Sequence, residues 1–588
     1  MKTITKIILT FSIIFIASNV FSQGIPEPLY KDIYPFLSSL AQKGLIEFND
    51  EIRPLSREYV FDQLKIINEK LKIDPKLNLT ELEKQELKFY MQDYNIEPST
   101  KYSNDISFLP AAEKSKAGPG DCDEPISNPL SNKQINNSTN QPKLFDLDLS
   151  QNYFRLFTYS NNIIRLNLDP IFGLKFGTRD GSSYKHFYNG VRLYGYLSDN
   201  VSFSFDFRDN SESGDKLDVT KSFTPTTGII RSLSEGNSFQ YSEVRTSISY
   251  SWKWGSITAA KDFINWGYGK SGLIVMSDKA PSFPLIRLDL HPADWLSFNY
   301  FHAWLSSDVV DSNEIYQSYR KSSNYDRILY REKYLASHTI TIYPYSGISV
   351  SLGESVVYSD RLEFAYMFPL MFFRAADHYL SRNNNSAGAN SQFFFGISSR
   401  NNIKNTHLYA SLIIDEIALS NMFDSKRQRN QIAFSLGASV VDLPIDNLKL
   451  TVEYTRINPF VYRHYIPTQT FTNHGYLLGH WMGHNSDMIY GSLEYKILRG
   501  LKSELWLRHI RKGGDGLVDD QYTLPSKPFL FGLRNNYTDF GFELSYQFFH
   551  DIFAKIIWQS NSISSEYFNG LFSDSKKNEI YFSINYGF

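Results

Sequence analysis

The feature that most constrains this chain is an alternation of apolar and polar residues with a period of two, from about residue 145 to the C-terminus. A period of two is typical of β-strands that expose different chemistry on their two faces. Several of the alternating stretches approach the roughly 9–11 residues that a tilted strand needs to cross a bilayer. The clearest stretches are 201–208, 243–254, 431–438, 448–455, 489–497 and 540–548.

A soluble β-sandwich also alternates, but three features favour a membrane barrel. The stretches are long, their apolar faces carry aromatic residues near the ends, and the opposite faces carry charges that a water-filled lumen tolerates. The last residues, 580–588, have apolar side chains at every second position back from a terminal aromatic, which resembles the C-terminal strand signal of bacterial outer-membrane barrels. We therefore predict an all-β transmembrane fold, a closed antiparallel outer-membrane barrel of about 18 strands with a small N-terminal α-helical region.

Composition excludes several other classes of protein. Only 42% of the 588 residues are hydrophobic, which argues against a helical polytopic membrane protein. The high aromatic content, with 45 Phe and 39 Tyr, argues against wholesale disorder. The 60 basic and 62 acidic residues nearly balance, so no overall charge favours nucleic acid as a partner. A single cysteine, Cys122, excludes a disulfide framework and a cysteine-based zinc cluster.

The chain divides into four predicted parts. Residues 1–22 have the basic start and short apolar stretch of a secretory signal peptide. Residues 23–105 show amphipathic helical stripes and are predicted to form a periplasmic helical region. Residues 106–144, which contain Cys122, are rich in Gly, Pro, Asn and Ser and are predicted to be a polar linker. Residues 145–588 are assigned to the outer-membrane barrel.

A pair of histidines, His480 and His484, has the spacing of two metal ligands on one helix face. Trp481 stands where the zinc-protease motif has its glutamate, and Gly479 and Gly483 favour a loop over a helix. We therefore predict no metal site and no cofactor here, and interpret the segment as a glycine-rich loop over the barrel mouth.

Catalysis has little support in the sequence. The G-x-S-x-G elbow of hydrolases is missing, and we interpret the adjacent pair His378 and Asp377 as structural. No catalytic residue is predicted. An outer-membrane hydrolase nevertheless stays open as an alternative, because a catalytic site is defined by geometry and not by spacing.

Aromatic and basic side chains point to carbohydrate. Trp266 and Tyr268 lie beside glycines in residues 262–269, where aromatic rings with polar neighbours suit stacking on sugar faces. The alternative is that they belong to the aromatic girdle at the membrane interface. Positive charges near the mouth suit an acidic polysaccharide, or else are solvated loop charges. These charges are Arg374, Arg427, Arg429 and Arg463.

Several segments in order along the chain resemble the Wzi capsule-assembly family. The helical part contains two of them and the predicted barrel contains the others. They are Lys43-Gly44-Leu45-Ile46, Arg53-Pro54-Leu55-Ser56-Arg57, Trp266-Gly267-Tyr268-Gly269, Ala280-Pro281-Ser282-Phe283-Pro284, residues 352–359, residues 368–373 and residues 478–487. The resemblance implies an 18-stranded outer-membrane barrel with a periplasmic helical part. It also implies extracellular loops that hold exported capsular polysaccharide or exopolysaccharide, without catalysis.

We therefore predict a lectin-like barrel in the bacterial outer membrane. Its predicted partners are capsular polysaccharide or exopolysaccharide, outer-membrane lipid and, during biogenesis, the barrel-assembly machinery. The alternative is a porin or substrate-specific channel, in which the same charges would line a pore. The residues predicted to bind polysaccharide are Trp266, Tyr268, Arg374, His378, Arg463, His480, Trp481, His484 and Asp487.

Overall fold

The computed structural model describes residues 24–94, 142–148, 153–161, 163–230, 233–318, 325–384, 388–417 and 419–587. The predicted signal peptide, Cys122 and most of the predicted linker lie outside the described residues. The assignment of these segments stays a prediction.

Eighteen antiparallel strands close into a barrel, which confirms the predicted fold class and strand number. The strands are β1 (Arg165–Arg179), β2 (Ser182–Tyr196), β3 (Val201–Gly214), β4 (Ser238–Trp252), β5 (Gly255–Asp262), β6 (Phe283–Ala293), β7 (Leu296–Val310), β8 (Tyr330–Tyr345), β9 (Ile348–Ser359), β10 (Asn390–Arg400), β11 (Thr406–Glu416), β12 (Gln431–Val441), β13 (Leu448–Ile457), β14 (Ser486–Leu498), β15 (Leu501–Lys512), β16 (Asn535–Phe549), β17 (Ile552–Glu566) and β18 (Phe572–Tyr586). The C-terminal strand closes the barrel, because β18 pairs with β1 from Glu579–Arg179 to Tyr586–Phe172. This pairing removes the free edges that the first and last barrel strands would otherwise present to lipid.

A short hairpin lies beside the seam of the barrel. The start of β1 pairs with the strand Tyr153–Ser160, which in turn pairs with Lys143–Asp148. Four further pieces of strand form small ribbons in the long loops, at Tyr316–Ser318, Tyr325–Arg327, Thr472–Asn473 and Tyr476–Leu477. A three-residue strand, Leu233–Glu235, extends the edge of β4.

Among the described residues, three helices precede the barrel strands and form a small bundle. They are α1 (Ile33–Gln42), α2 (Arg57–Ile73) and α3 (Glu81–Tyr94). Ser56 caps α2 by accepting a hydrogen bond from the Tyr59 N–H at 3.1 Å. Thr80 and Glu83 form a reciprocal capping box at α3, with bonds of 3.2 and 2.8 Å. Buried apolar side chains on one face of each helix meet in a single core.

The two ends of the barrel differ. One end has short turns, such as 253–254, 346–347 and 499–500, and the other carries the long connections. We call them the short-turn end and the long-loop end. The helical bundle is fastened to the short-turn half by ion pairs. These are Lys43–Asp442 at 2.7 Å, Asp32–Lys502 at 2.6 Å, Glu86–Lys496 at 2.7 Å and Asp50–Arg400 at 2.6 Å.

Two of the long connections fold into the lumen, and we call residues 263–282 and 458–485 the plug loops. Their apolar side chains pack against the inner face of the wall in one buried cluster. The cluster includes Trp266, Ile274, Phe471, Leu478 and Trp481 from the plug loops, and Phe301, Ala303, Leu335, Val357, Ile413 and Ile457 from the wall. Charged strand faces predict a water-filled lumen, but at this level apolar side chains fill it.

The plug loops hold each other and also meet the helical bundle. Ser277 N–H donates to the Leu478 carbonyl at 2.7 Å, and the Trp481 indole donates to the Ser271 carbonyl at 2.8 Å. A two-residue strand, Ile52–Arg53, pairs with Asn265–Trp266 of the first plug loop. Segments that enter from opposite ends of the barrel therefore meet inside it.

A third long connection lies on the outside of the wall. Residues 360–384, which we call the outer segment, contain a 3-10 turn (Phe364–Met367) and the helix α4 (Phe373–Asn384). Tyr366 and Phe373 are fully buried against aromatic side chains of β7, β8 and β9. Among the described residues, none of the helices is long and apolar enough to cross a membrane.

Candidate functional site

The long-loop end presents an exposed pair of tyrosines between three loops. Tyr465 lies in the second plug loop and is 52% exposed, and Tyr522 lies in the β15–β16 loop and is 38% exposed. The ring centroids are 5.9 Å apart in an edge-to-face arrangement. His464 packs beside Tyr465, with ring centroids 4.4 Å apart. Exposed aromatic faces of this kind suit stacking on the apolar face of a sugar ring.

Two arginines lie near this pair. The Arg429 guanidinium lies 5.0 Å from the centre of the Tyr522 ring, a cation–π distance, and is also 3.5 Å from the Glu416 carboxylate. Arg463 precedes the aromatic residues on the same plug loop. We call Arg429, Arg463, His464, Tyr465 and Tyr522 the mouth patch. It combines exposed rings with donors that can reach hydroxyl or carboxylate groups.

Hydrogen bonds between loops hold the mouth patch in place. Gln431, at the start of β12, donates to the Gln521 side chain at 2.9 Å, next to Tyr522. Ser526 N–H donates to the Lys426 carbonyl at 2.8 Å, which joins the β15–β16 loop to the β11–β12 loop. Arg463 donates to the Gly516 carbonyl at 3.2 Å, which joins the second plug loop to the same assembly. The patch is therefore built from three loops that meet only in the folded barrel.

Trp266 and Tyr268, two of the predicted polysaccharide-binding residues, lie inside the barrel. Trp266 is 2% exposed and packs edge-to-face on Phe394, with ring centroids 5.1 Å apart. Tyr268 is 8% exposed, and the Arg400 guanidinium lies 5.2 Å from its ring. Both rings pack against protein, so in this state they offer little surface to a glycan at the mouth.

His480 and Trp481 lie in the interlocked part of the plug. Trp481 is 4% exposed, with the Arg508 guanidinium 5.1 Å from its ring. His480 is fully buried and accepts a hydrogen bond from the Met482 N–H at 3.2 Å. Burial lowers the pKa of His480 to about 3, so the imidazole is neutral at physiological pH.

His484 and Arg463 connect the plug to the mouth patch. The Arg463 guanidinium is 3.3 Å from the His484 imidazole, and the Phe460 N–H donates to the other ring nitrogen of His484 at 3.2 Å. Burial lowers the pKa of His484 well below its usual range, with Lys512 and Arg463 adding to the effect. Burial also lowers the pKa of His464 to about 4. Within the described ranges, no group of three or more metal-ligating side chains is found.

Asp487, at the start of β14, is buried and serves as an acceptor. The Arg511 guanidinium donates to both of its carboxylate oxygens, at 2.9 and 2.5 Å, and the Tyr454 hydroxyl donates at 3.2 Å. Asp487 therefore links β14 to Arg511 of β15 and to Tyr454 of β13 next to the plug.

Arg374 and His378 lie apart from the other predicted residues, on α4 of the outer segment. Both side chains are exposed, and the Arg374 guanidinium is 3.6 Å from the Asp377 carboxylate. The structure therefore gathers Arg463, His480, Trp481 and His484 in one region and separates them from Arg374 and His378. The binding role of all nine predicted residues stays a prediction.

The sequence does not mark Tyr465 and Tyr522 as binding residues, although it does mark Arg429 and Arg463 near them. The chain contains 39 tyrosines, so nothing local marks these two. The feature of the sequence that could have indicated them is their position, because both lie in long irregular stretches next to basic residues. The pairing itself depends on contact between loops that are distant along the chain.

The comparisons with known proteins agree with this architecture. The family model described as Capsule assembly protein Wzi matches residues 167–567. A search of curated protein sequences finds no significant match. The fold is similar to the solved structure of Wzi from Escherichia coli, with a TM-score of 0.55 and 10% identity over 97% of this chain and 100% of that chain. That protein is described as an outer-membrane protein involved in group 1 capsule assembly and as a carbohydrate-binding β-barrel.

Two further solved structures show a more distant likeness. They are OccD3 (OpdP) of Pseudomonas aeruginosa and OccAB2 of Acinetobacter baumannii, each with a TM-score of 0.39. Identities are 10% and 11%, and the matches cover 72% of this chain and 91% and 97% of the others.

Proposed function

The chain belongs to the Capsule assembly protein Wzi family, and on this premise we propose that it binds exported capsular polysaccharide or exopolysaccharide and holds it at the cell surface. The barrel lies in the outer membrane. The observation that carries the proposal is the mouth patch, in which two exposed tyrosine rings meet at the long-loop end, with Arg429 against one ring and Arg463 on the same plug loop as the other. This combination suits an acidic or hydroxyl-rich polymer.

The orientation that we propose places the long-loop end outside the cell and the helical bundle in the periplasm. Bacterial outer-membrane barrels have short periplasmic turns and longer extracellular loops. The bundle is fastened to the short-turn half, for example by the 2.7 Å pair of Lys43 with Asp442. We also propose that outer-membrane lipid surrounds the wall, and that the barrel-assembly machinery inserts it through the C-terminal strand.

The mouth patch is proposed to bind glycan without breaking it. Two histidines accept hydrogen bonds from backbone groups: His464 of the patch from the Ile466 N–H at 3.2 Å, and His484 beside it from the Phe460 N–H at 3.2 Å. They are thus engaged in holding loops. Affinity for one repeat unit would be weak, and a repeating polymer bound by many copies gains avidity.

The test is glycan binding by the purified barrel in detergent, with capsular polysaccharide extracted from the source strain. We expect the double variant Tyr465→Ala/Tyr522→Ala to raise the Kd for a short fragment by about tenfold, or about 1.4 kcal/mol. Arg429→Ala is expected to weaken binding and to reduce its dependence on salt. The matched control is Tyr567→Ala, which removes a 57% exposed tyrosine from the neighbouring β17–β18 loop.

Unchanged affinity in the double variant would remove the mouth patch from the binding site. Absence of binding by the unaltered protein, together with steady conductance in a planar bilayer, would make it a channel instead. The filled lumen leads us to expect no steady conductance, because the plug loops pack against the inner wall in one apolar cluster.

A further inference from the structure

The wall beneath the outer segment has unusual chemistry on its outward face. Strand register places Tyr300, His338 and Glu354 side by side across β7, β8 and β9. The same face of β9 carries Leu352, which is 62% exposed, whereas Ser351 on the opposite face bonds the N-terminal part inside the barrel. Tyr300, His338 and Glu354 therefore point away from the lumen.

Such polar groups are costly on a wall that faces lipid. A carboxyl or imidazole in hydrocarbon loses its hydrogen-bonding water and finds no replacement. The outer segment supplies the replacement partners. Its Phe373 N–H donates to the Glu354 carboxylate, and the Tyr300 hydroxyl donates to the Tyr366 carbonyl at 3.0 Å. Glu354 is consequently only 3% exposed.

Aromatic packing completes the cover over this part of the wall. The Phe373 ring lies 4.5 Å from the His338 ring, and the Tyr366 ring lies 4.8 Å from the Tyr358 ring. The buried face of the outer segment is therefore matched to the polar and aromatic wall, and it takes the place that lipid occupies elsewhere on the barrel.

The other face of the outer segment is apolar and uncovered. Its large exposed side chains are Phe364 at 69%, Phe368 at 50%, Leu370 at 84% and Phe372 at 55%. Phe372 packs beside Phe393 of β10, which is itself an outward-facing wall residue, with ring centroids 6.2 Å apart. The exposed face thus continues the apolar surface of the barrel wall, which is the surface that contacts lipid.

Two exposed arginines accompany this apolar face. Arg361 precedes it and has a side chain that is 63% exposed, and Arg374 follows it with a side chain that is 54% exposed. Exposed cations next to an apolar face are typical of segments that lie in the headgroup region of a membrane. Arg361 pairs with Glu363 and Arg374 lies 3.6 Å from Asp377, and the remaining guanidinium N–H groups can reach the phosphate groups of lipid headgroups.

We propose that the outer segment is a lipid-binding element, which lies in the membrane leaflet at the long-loop end and presents Phe364, Phe368, Leu370 and Phe372 to lipid. Its inner face takes the place of lipid over a polar part of the wall. Its outer face presents an apolar surface to the surrounding lipid. The occupant of its exposed face is bilayer lipid, because that face is continuous with the lipid-facing wall and is accompanied by cations. This role is separate from glycan binding at the mouth patch.

The test uses spin labels on single cysteines in the full chain, with Cys122→Ser as background, reconstituted in phosphatidylcholine vesicles. The test variants are Leu370→Cys and Phe364→Cys, both at exposed positions where a label disturbs little packing. Leu352→Cys on the bare wall is the lipid reference. Leu517→Cys in the β15–β16 loop, 73% exposed, is the water reference. Collision with oxygen, which concentrates in the bilayer, is compared with collision with a water-soluble nickel complex.

We expect the labels at Leu370 and Phe364 to match Leu352, with oxygen collisions dominant. Labels that match Leu517 would place the segment in water and overturn the proposal. Dipolar broadening between labels at position 370 would show a second copy of the chain on this face and would overturn it as well. The heat-dependent gel mobility of each variant confirms that it has folded before the comparison is made.

Discussion

Two connections that leave the long-loop end fold onto opposite faces of the same wall. The first plug loop, 263–282, enters the lumen, whereas the outer segment, 360–384, lies outside. Each covers β7, β8 and β9. The inner face of these strands carries apolar side chains such as Leu335 and Val357, and the outer face carries His338 and Glu354.

The difference shows that local wall chemistry decides what covers each face. Barrels of this class normally carry polar side chains inside and apolar side chains outside. In this sector the inner face carries apolar side chains where the plug meets it, and the outer face contains polar groups that hydrogen-bond to the outer segment. Each covering therefore matches the side chains of the wall face that lies beneath it.

The largest expected effect comes from disturbing the plug. The two plug loops together cover the inner face of the wall, and Trp481 lies in the second of them. Trp481→Ala removes a side chain that is 4% exposed and leaves a cavity in the plug. Large-to-small changes of this kind cost about 3–5 kcal/mol. We expect a corresponding loss in the free energy of unfolding, measured by urea titration in vesicles, and the appearance of channel conductance.

Trp295→Ala is the matched control, because Trp295 lies in a short turn and is 60% exposed. It should change the free energy of unfolding by much less. A closed, equally stable Trp481→Ala variant would show that the plug does not depend on this contact.

An intermediate effect is expected from pH, through His480 in the plug. The folded-state pKa of about 3 lies below the unfolded value of about 6.5. Between these two pH values His480 is protonated in the unfolded chain and neutral in the folded plug. Stability from this group is complete above about pH 6.5 and falls by about 1.4 kcal/mol for each pH unit below it. At pH 5 the loss is about 2 kcal/mol.

The variant His480→Asn tests whether His480 causes this loss of stability at low pH. The amide oxygen can accept the hydrogen bond from Met482 N–H and does not titrate, so this variant should lose less stability between pH 7 and pH 5 than the unaltered chain. Equal pH dependence in both proteins would assign the effect to other groups.

The third effect is local to the outer segment and is expected from loosening the outer covering. Glu354→Ala removes the acceptor of the Phe373 N–H, at a cost of about 1–3 kcal/mol for an unsatisfied buried donor. We expect faster trypsin cleavage at Arg374 in folded, vesicle-bound protein. Glu363→Ala is the control, because its carboxylate pairs with the exposed Arg361. Equal cleavage of the two variants would contradict an anchoring role for Glu354.

Much of the fold could be predicted because the patterns that specify it are local. A period of two identifies strands, and a closed barrel is the one arrangement that satisfies their backbone groups in lipid. The capping residues Ser56 and Thr80 mark helix starts by bonds that span three residues. These features need no knowledge of distant parts of the chain.

The candidate site was harder to predict because exposure is a property of the tertiary structure. Trp266 and Trp481 are prominent in the sequence, yet both are buried in the plug. Tyr465 and Tyr522 are ordinary tyrosines in long loops, yet their rings meet at the mouth. A ring that stacks on sugar and a ring that packs in a core have the same sequence signal.

The sequence by itself determined which residues share a strand face, where the helices begin and that the last strand carries the closing signal. Only the tertiary structure decided what lies on each face: two loops inside, one segment outside and a tyrosine pair at the mouth. The physical reason is the distance along the chain over which each interaction acts. Strand alternation is set between neighbours, whereas the Trp481–Ser271 bond joins residues 210 positions apart.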